Sequence, residues 1–336
     1  MSSGPTPPRV STALVVVVVI TAIALAFTGS YAGALHQPMP HGIPLAVSPR
    51  IPSAVTKRGS PAFDFRRFPS DTAALTSIDR RETYGALLPS GSGVEVVSAP
   101  AASLPISTIV TARLGGGLRS AGVPVRESVV HPLASGDRSG VLVFYVVAGW
   151  VIAGYMGAIM LGAVFGPLPP RPQMTGRMFT LTILSIVASF SCAGLGYAIG
   201  DLPGSLLWAG LLGVLTVLAV GTAATALQAL FGPVATYLTV LIIVVIGYPA
   251  SGGPLASDLL PGFWRAVGPF IPVGAGTTAL RNVVYFPDAS VLWPLVVLVV
   301  WLICGAALAL LRAGQPDGAA PTMTEAEAAA AAAAAP

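Results

Sequence analysis

Residues 247–290, GYPASGGPLASDLLPGFWRAVGPFIPVGAGTTALRNVVYFPDAS, lie between two uncharged hydrophobic runs, and how they are read decides the fold. Proline and glycine interrupt Tyr248-Pro249-Ala250-Ser251-Gly252-Gly253-Pro254, so no regular span passes through it. From Asp258 an apolar set follows, Leu259, Leu260, Phe263, Trp264, Val267 and Phe270, at helix-like spacings. Asp258 is a candidate cap, and Pro261 with Gly262 keeps any helix short. Trp264 and Arg265 at its middle suit a membrane–water boundary, where an indole buries its ring and keeps its N–H wet. Two readings stay open. One is a surface loop packed on neighbouring helices. The other is a short interfacial or re-entrant segment at a pore mouth, formed by Leu260, Pro261, Gly262, Phe263, Trp264 and Arg265.

The flanks settle the class. Of 336 residues 54% are hydrophobic and 9% charged, with mean hydropathy +0.81, which requires several membrane spans. The fold class expected is a polytopic α-helical membrane protein with six transmembrane helices. A small α/β extracytoplasmic domain stands between the first and second of them. The first run, Ala13–Ala34, would extend about 33 Å as a helix and could anchor the chain. A cleaved signal peptide competes, because Ala32-Gly33-Ala34 resembles a processing site. Five later runs follow, Val141–Phe165, Met178–Ile199, Ser205–Leu230, Val234–Ile246 and Val291–Leu311. The division expected is a cytoplasmic tail at 1–12, a first span at 13–35, an extracytoplasmic domain at 36–140, a five-helix bundle at 141–312 and an Ala-rich cytoplasmic tail at 313–336. Arg9, Arg171, Arg177 and Arg312 against Arg265 and Arg281 favour cytoplasmic termini.

Within 36–140 the pattern changes. Ile43–Val47, Tyr84–Leu88, Val94–Ser98 and Val123–Val130 read as strands, the middle two joined by Pro89–Gly93. Ser70–Arg81 reads as a helix started by Ser70 or Asp71. Ala101–Leu118 reads as a second helix ending at Gly115-Gly116-Gly117. The domain carries eleven basic and seven acidic residues, but they are scattered, without a basic helix or interleaved aromatics. Nucleic acid is therefore not an expected partner, whereas membrane lipid is.

The spans carry little chemistry. None of the five later runs holds a charged residue, which argues against a proton relay. Gly149, Gly154, Gly157, Gly162, Gly194, Gly196 and Gly200 suit close helix packing, or a glycine-lined groove. Thr222, Thr225 and Gln228 share one helix face. They would bond across helices, bond back to their own backbone, or form a polar lining. Ser92 lacks the glycine a nucleophile elbow needs, His36, His41 and His131 have no metal-ligand spacing, and Lys57 has no glycine-rich lead for a phosphate loop. No catalytic residue, metal site or cofactor is expected.

The layout resembles the permease half of type-2 ABC exporters, and most of all the YhgE/Pip-like membrane proteins. The residues that carry the likeness are Leu35-His36-Gln37-Pro38, His41–Val47, Ile78–Leu87, Pro132–Arg138, Pro249–Gly253, Leu260–Trp264 and Ala279-Leu280-Arg281. The resemblance implies an export-type permease that works as a homodimer, with a pore between protomers and a separate cytoplasmic ATPase subunit. It also implies that Leu260–Phe270 forms a short external helix near the pore mouth. The Pro-rich link Gly166–Arg177 departs from that pattern, being a poor coupling helix. Two functions are expected from these readings. The first is export of an envelope or apolar compound; the second is a non-transporting scaffold or receptor acting through the outer domain.

Overall fold

Val10–Leu35 forms helix α1, nearly continuous in apolar residues, with Leu14, Val15, Val17, Val18, Ile20 and Leu25 all exposed. Such a surface is stable against lipid and unstable against water. The computed structural model describes residues 10–57 and 62–315, so most of the expected tails at 1–12 and 313–336 lies outside the described residues.

The next hundred residues build a sheet lobe. Its elements are Ile43–Val47 (β1), Ser53–Lys57 (α2), Phe63–Arg67 (β2), Asp71–Asp79 (α3), Gly85–Ser90 (β3), Gly93–Ser98 (β4), Leu104–Ile109 (α4), Gly116–Ser120 (α5) and Val125–Val129 (β5). A π-helical stretch, Val110–Gly115, joins α4 to α5 without a break. The strand order is β2-β1-β3-β4-β5, with only the β3–β4 pair antiparallel. Ser70 caps α3 by accepting from the Ala73 amide at 3.0 Å.

Several sequence expectations need correction here. The β3–β4 turn is only Gly91-Ser92, with Gly91 at φ 54°; Pro89 and Ser90 belong to the strand. Gly115-Gly116-Gly117 does not end the second helix, which starts after its cap Ser103 and runs to Ser120. Strand β2 was not expected at all.

The lobe does not stand apart. On one face of its sheet Ile43, Leu45, Leu87, Val96, Ile106 and Leu114 form a core that also takes in Ala256 and Leu259 of the broken segment. On the other, Ala46, Ala74, Ile78 and Ala86 merge into the same apolar cluster as Trp150, Val217 and Phe286 of the bundle.

The bundle comprises Leu142–Phe165 (α6), Arg171–Gly200 (α7), Leu206–Phe231 (α8), Ala235–Thr239 (α9), Tyr248–Ala250 (α10), Gly262–Val267 (α11), Pro272–Tyr285 (α12) and Leu292–Arg312 (α13). A π-helical stretch, Val240–Gly247, makes Ala235–Ala250 one continuous helix. Among the described residues five helices are long and apolar enough to cross a membrane: Val17–Leu35 within α1, and α6, α7, α8 and α13. Ala235–Ala250 is apolar but shorter. The protein is thus mostly helical, with a small sheet and the apolar helices of a polytopic membrane protein.

Helix α8 is central, packed on α6, α7 and α13. Small residues permit it: a Cβ on Gly213 would stand 2.6 Å from the Trp150 ring, and one on Gly305 2.6 Å from the Ala223 nitrogen. The link after α6 is shorter than the sequence suggested, because α7 already begins at Arg171 and not near Met178. Its added turns bring a charge into the helix. Arg177 has no exposed surface, and it donates to the Gly166 carbonyl at 3.2 Å, the Ala158 carbonyl at 2.8 Å and Gln228 Oε1.

Candidate functional site at the junction of lobe and bundle

The broken segment turns where glycine allows it. Gly252 sits at φ 69°, and Gly268 brings its backbone so close to Ala250 that an added Cβ would stand 2.1 Å from that carbonyl oxygen. Asp258 caps no helix, contrary to the sequence reading. It lies in a short 3-10 turn, Ser257–Leu259, and α11 starts after Pro261 without a side-chain cap. The segment then forms a helix the sequence did not reveal. Pro272 opens α12, and twelve of its fourteen residues are buried.

Helix α12 slopes through the bundle. Near its start Gly276 lies against Val147 of α6 and Thr216 of α8, the latter about 15 Å along α8 from Leu206. Near its end Asn282 and Tyr285 meet the lobe. Arg81 donates to Asn282 Oδ1 and lies over the Phe286 ring at 5.5 Å. His131 places Nδ1 3.0 Å from the Tyr285 carbonyl and Nε2 2.8 Å from Asp79 Oδ1, so its full satisfaction needs an N–H on both nitrogens. This histidine, without metal-ligand spacing in the sequence, is a half-buried clamp. Ser135 adds a bond to Asp201 Oδ2 at 3.0 Å. Among the described residues Arg81, His131 and Asp201, at φ 57°, 45° and 51°, are the non-glycine residues in left-handed conformation, and all three belong to this junction.

A cavity of about 70 Å³ opens between the lobe and the broken segment, lined by Arg81 and Tyr84 on one side and by Ser251, Gly252, Thr278 and Arg281 on the other. At about 30 Å³ each, it has room for about two waters. Arg281 is 6% exposed and donates to the carbonyls of Gly252 at 3.1 Å and Gly253 at 3.3 Å. Removal from water holds the Arg81 guanidinium below its usual range and pushes the Tyr84 hydroxyl up.

The residues singled out from the sequence divide into two places. Leu260 is fully buried, Pro261 half-buried, and Gly262, Phe263 and Arg265 exposed on α11. Trp264 turns back to α1: its Nε1 donates to Ser30 Oγ at 3.3 Å, and its ring covers Gly33. Its N–H is held by protein and not by water. Thr222, Thr225 and Gln228 lie in the half of α8 remote from the lobe. Thr222 and Thr225 are buried and bond back to Leu218 and Gly221 at 2.8 Å each; Thr222 also reaches the Leu302 carbonyl at 3.4 Å. Gln228 holds Arg177 and borders a separate pocket with Gly162, Gly232 and Thr236. The two groups therefore form no common site. The junction residues Arg81, His131 and Arg281 were missed; the available signal was an arginine inside a small-residue, apolar stretch, Ala279-Leu280-Arg281.

Compared with protein-family models, with curated proteins and with solved structures, the chain matches none. The class defined by the fold is a multi-helix membrane protein whose sheet lobe is locked to one end of the bundle.

Proposed function

We propose that the protein is an export-type permease of the cell membrane, working as a homodimer and moving an envelope or apolar compound outward. It crosses the membrane six times, with both termini cytoplasmic and residues 36–140 outside. What supports six crossings is the course of the chain. Helix α8 ends away from the lobe and α13 starts beside it, where Asn282 donates to the Ser290 carbonyl at 2.8 Å. Ala235–Ala250 must return the chain between these ends, and Tyr248, at its finish, donates to the Ala148 carbonyl near the lobe end of α6 at 3.1 Å. At about 24 Å it is short for a bilayer core, a mismatch local thinning accommodates.

The observation that carries the permease reading is α12, a short helix that starts within the bundle, against Val147 and Thr216, and ends beneath the lobe. An anchor for a receptor needs no such element, whereas a gate does. The centre of the protomer is filled by Trp150, Leu181, Val217 and Val220, so the substrate path belongs between two copies. A separate cytoplasmic ATPase subunit is the proposed energy source. Purification in mild detergent tests this: a cross-linkable dimer, and loss of efflux or lipid export on gene deletion, are expected. A monomer whose deletion leaves export and drug sensitivity unchanged would refute it.

A second reading, a non-transporting scaffold or receptor, draws on the same filled bundle, with Thr222 and Thr225 turned back on their own helix. Loss of a binding partner with export intact would favour it.

A further inference from the structure

Two guanidinium groups face one small cavity, and neither has a carboxylate for a partner. The ion pairs among the described residues are Arg50–Asp71, Arg66–Asp64, Arg119–Glu127 and His131–Asp79. Arg81 and Arg281 are in none of them. Their donors go to an amide oxygen and two backbone carbonyls, which satisfy hydrogen bonds but cancel no charge. A buried charge without a counter-charge is unfavourable, and two of like sign close together more so.

The acidic groups nearby are already engaged. Asp258 interacts with the Tyr84 hydroxyl. Asp137 accepts from the amides of Val141 at 3.2 Å and Leu142 at 3.0 Å in the first turn of α6, and its charge acts on Arg281 only from beyond ion-pair distance. Neither carboxylate forms an ion pair with Arg81 or Arg281, and Thr278 and Ser251 complete the polar lining of the cavity. We propose that this cavity binds an oxyanion, a phosphodiester or a carboxylate, held between Arg81 of the lobe and Arg281 of α12. Guanidinium forks match both groups in shape as well as charge. Phe270, next to the cavity-lining Pro269, and Phe263 of α11 each expose more than half of their surface. An acyl chain attached to the oxyanion would lie along those rings. The ligand thus comes from a lipid headgroup or from solution, and it ties lobe to bundle. This holds whether the protein is a permease or a scaffold.

The test uses the full chain in a neutral detergent, with thermal unfolding measured against inorganic phosphate, acetate, glycerol 3-phosphate and dioctanoyl phosphatidylglycerol, at constant ionic strength. At least one probe should raise the unfolding temperature saturably. The shift should weaken tenfold or more in concentration for Arg81→Gln and for Arg281→Gln, and be unchanged for Arg126→Gln on the exposed edge of the lobe. A response to phosphatidylglycerol alone identifies a lipid headgroup; a response to phosphate or acetate identifies a soluble anion. Either supports the site. Should the arginine variants fail to fold, Ser257→Cys, with Cys192 and Cys304 replaced by serine, reports instead: the effective probe should slow its alkylation at least threefold. No saturable shift with any probe, equal shifts in the arginine variants, or an unchanged alkylation rate overturns the proposal.

Discussion

Replacing Gly305 by alanine tests the packing on which the bundle depends. Gly305 of α13 faces α8, and the new Cβ would stand 2.6 Å from the Ala223 nitrogen, 2.7 Å from the Thr222 carbonyl carbon and 2.8 Å from Thr222 Oγ1. Ordinary contact begins near 3.4 Å, so the two helices must part by roughly 0.8 Å at that point. Two of the three obstacles are backbone atoms, which no rotamer change can move aside. Overpacking of this kind costs about 1–3 kcal/mol. Against it stands a gain of roughly 0.8–1.0 kcal/mol from alanine's better helix propensity. Gly194 of α7 supplies the control, because nothing lies within 4 Å of its added Cβ. Gly194→Ala should keep the propensity gain without the clash. The gap between the two variants should therefore be about 1–3 kcal/mol, with Gly305→Ala the less stable. Parallel thermal unfolding in detergent, followed by tryptophan fluorescence at one scan rate, measures the order directly. If Gly305→Ala unfolds at or above the temperature of Gly194→Ala, α8 and α13 are not packed as described.

Gly252→Val should lower stability by about 1–2 kcal/mol, since φ 69° is unfavourable for any side chain and worse for a branched one. Gly253→Val should be harmful for another reason: its Cβ would stand 2.3 Å from the Phe144 ring, so the companion Phe144→Ala should partly rescue it, as unfolding of the double variant would report. Trp264→Phe keeps most of the cover on Gly33 but loses the bond to Ser30, a change of about 0.5–1.5 kcal/mol, whereas Trp264→Ala should expose α1 to proteolysis well below the unfolding temperature of the rest. Arg177→Met should lose about 2–4 kcal/mol, because the Gly166 and Ala158 carbonyls lose their side-chain donor and Gln228 loses its partner; equal stability would show those bonds to be idle.

Local signals in the sequence carried much of the lobe. Ile43–Val47 is apolar throughout because both faces of β1 are covered, and Ser70 marks the start of α3 by its capping hydroxyl. Strand β2 hid because Phe63-Asp64-Phe65-Arg66-Arg67 puts its charges on the sheet edge, where alternation competes with a polar, loop-like composition. Helix α12 hid for a related reason. Its glycines, Gly274 and Gly276, lower helix propensity, yet they are what lets it enter between Gly268, Val147 and Thr216. Tertiary packing overrides propensity there. The junction cavity was illegible in principle, since Arg81 and Arg281 lie 200 positions apart in sequence and meet only in the folded chain.

Both proposed functions require the lobe to be fixed to the bundle outside the cell. Arg81 and Asn282, joined by a hydrogen bond across the junction, can both be replaced by cysteine in a chain whose Cys192 and Cys304 are serine. A short, membrane-impermeant thiol cross-linker applied to intact cells should then join them, and either single cysteine should give no product. Cross-linking only after lysis would put the lobe in the cytosol; no product in either condition would detach it from the bundle.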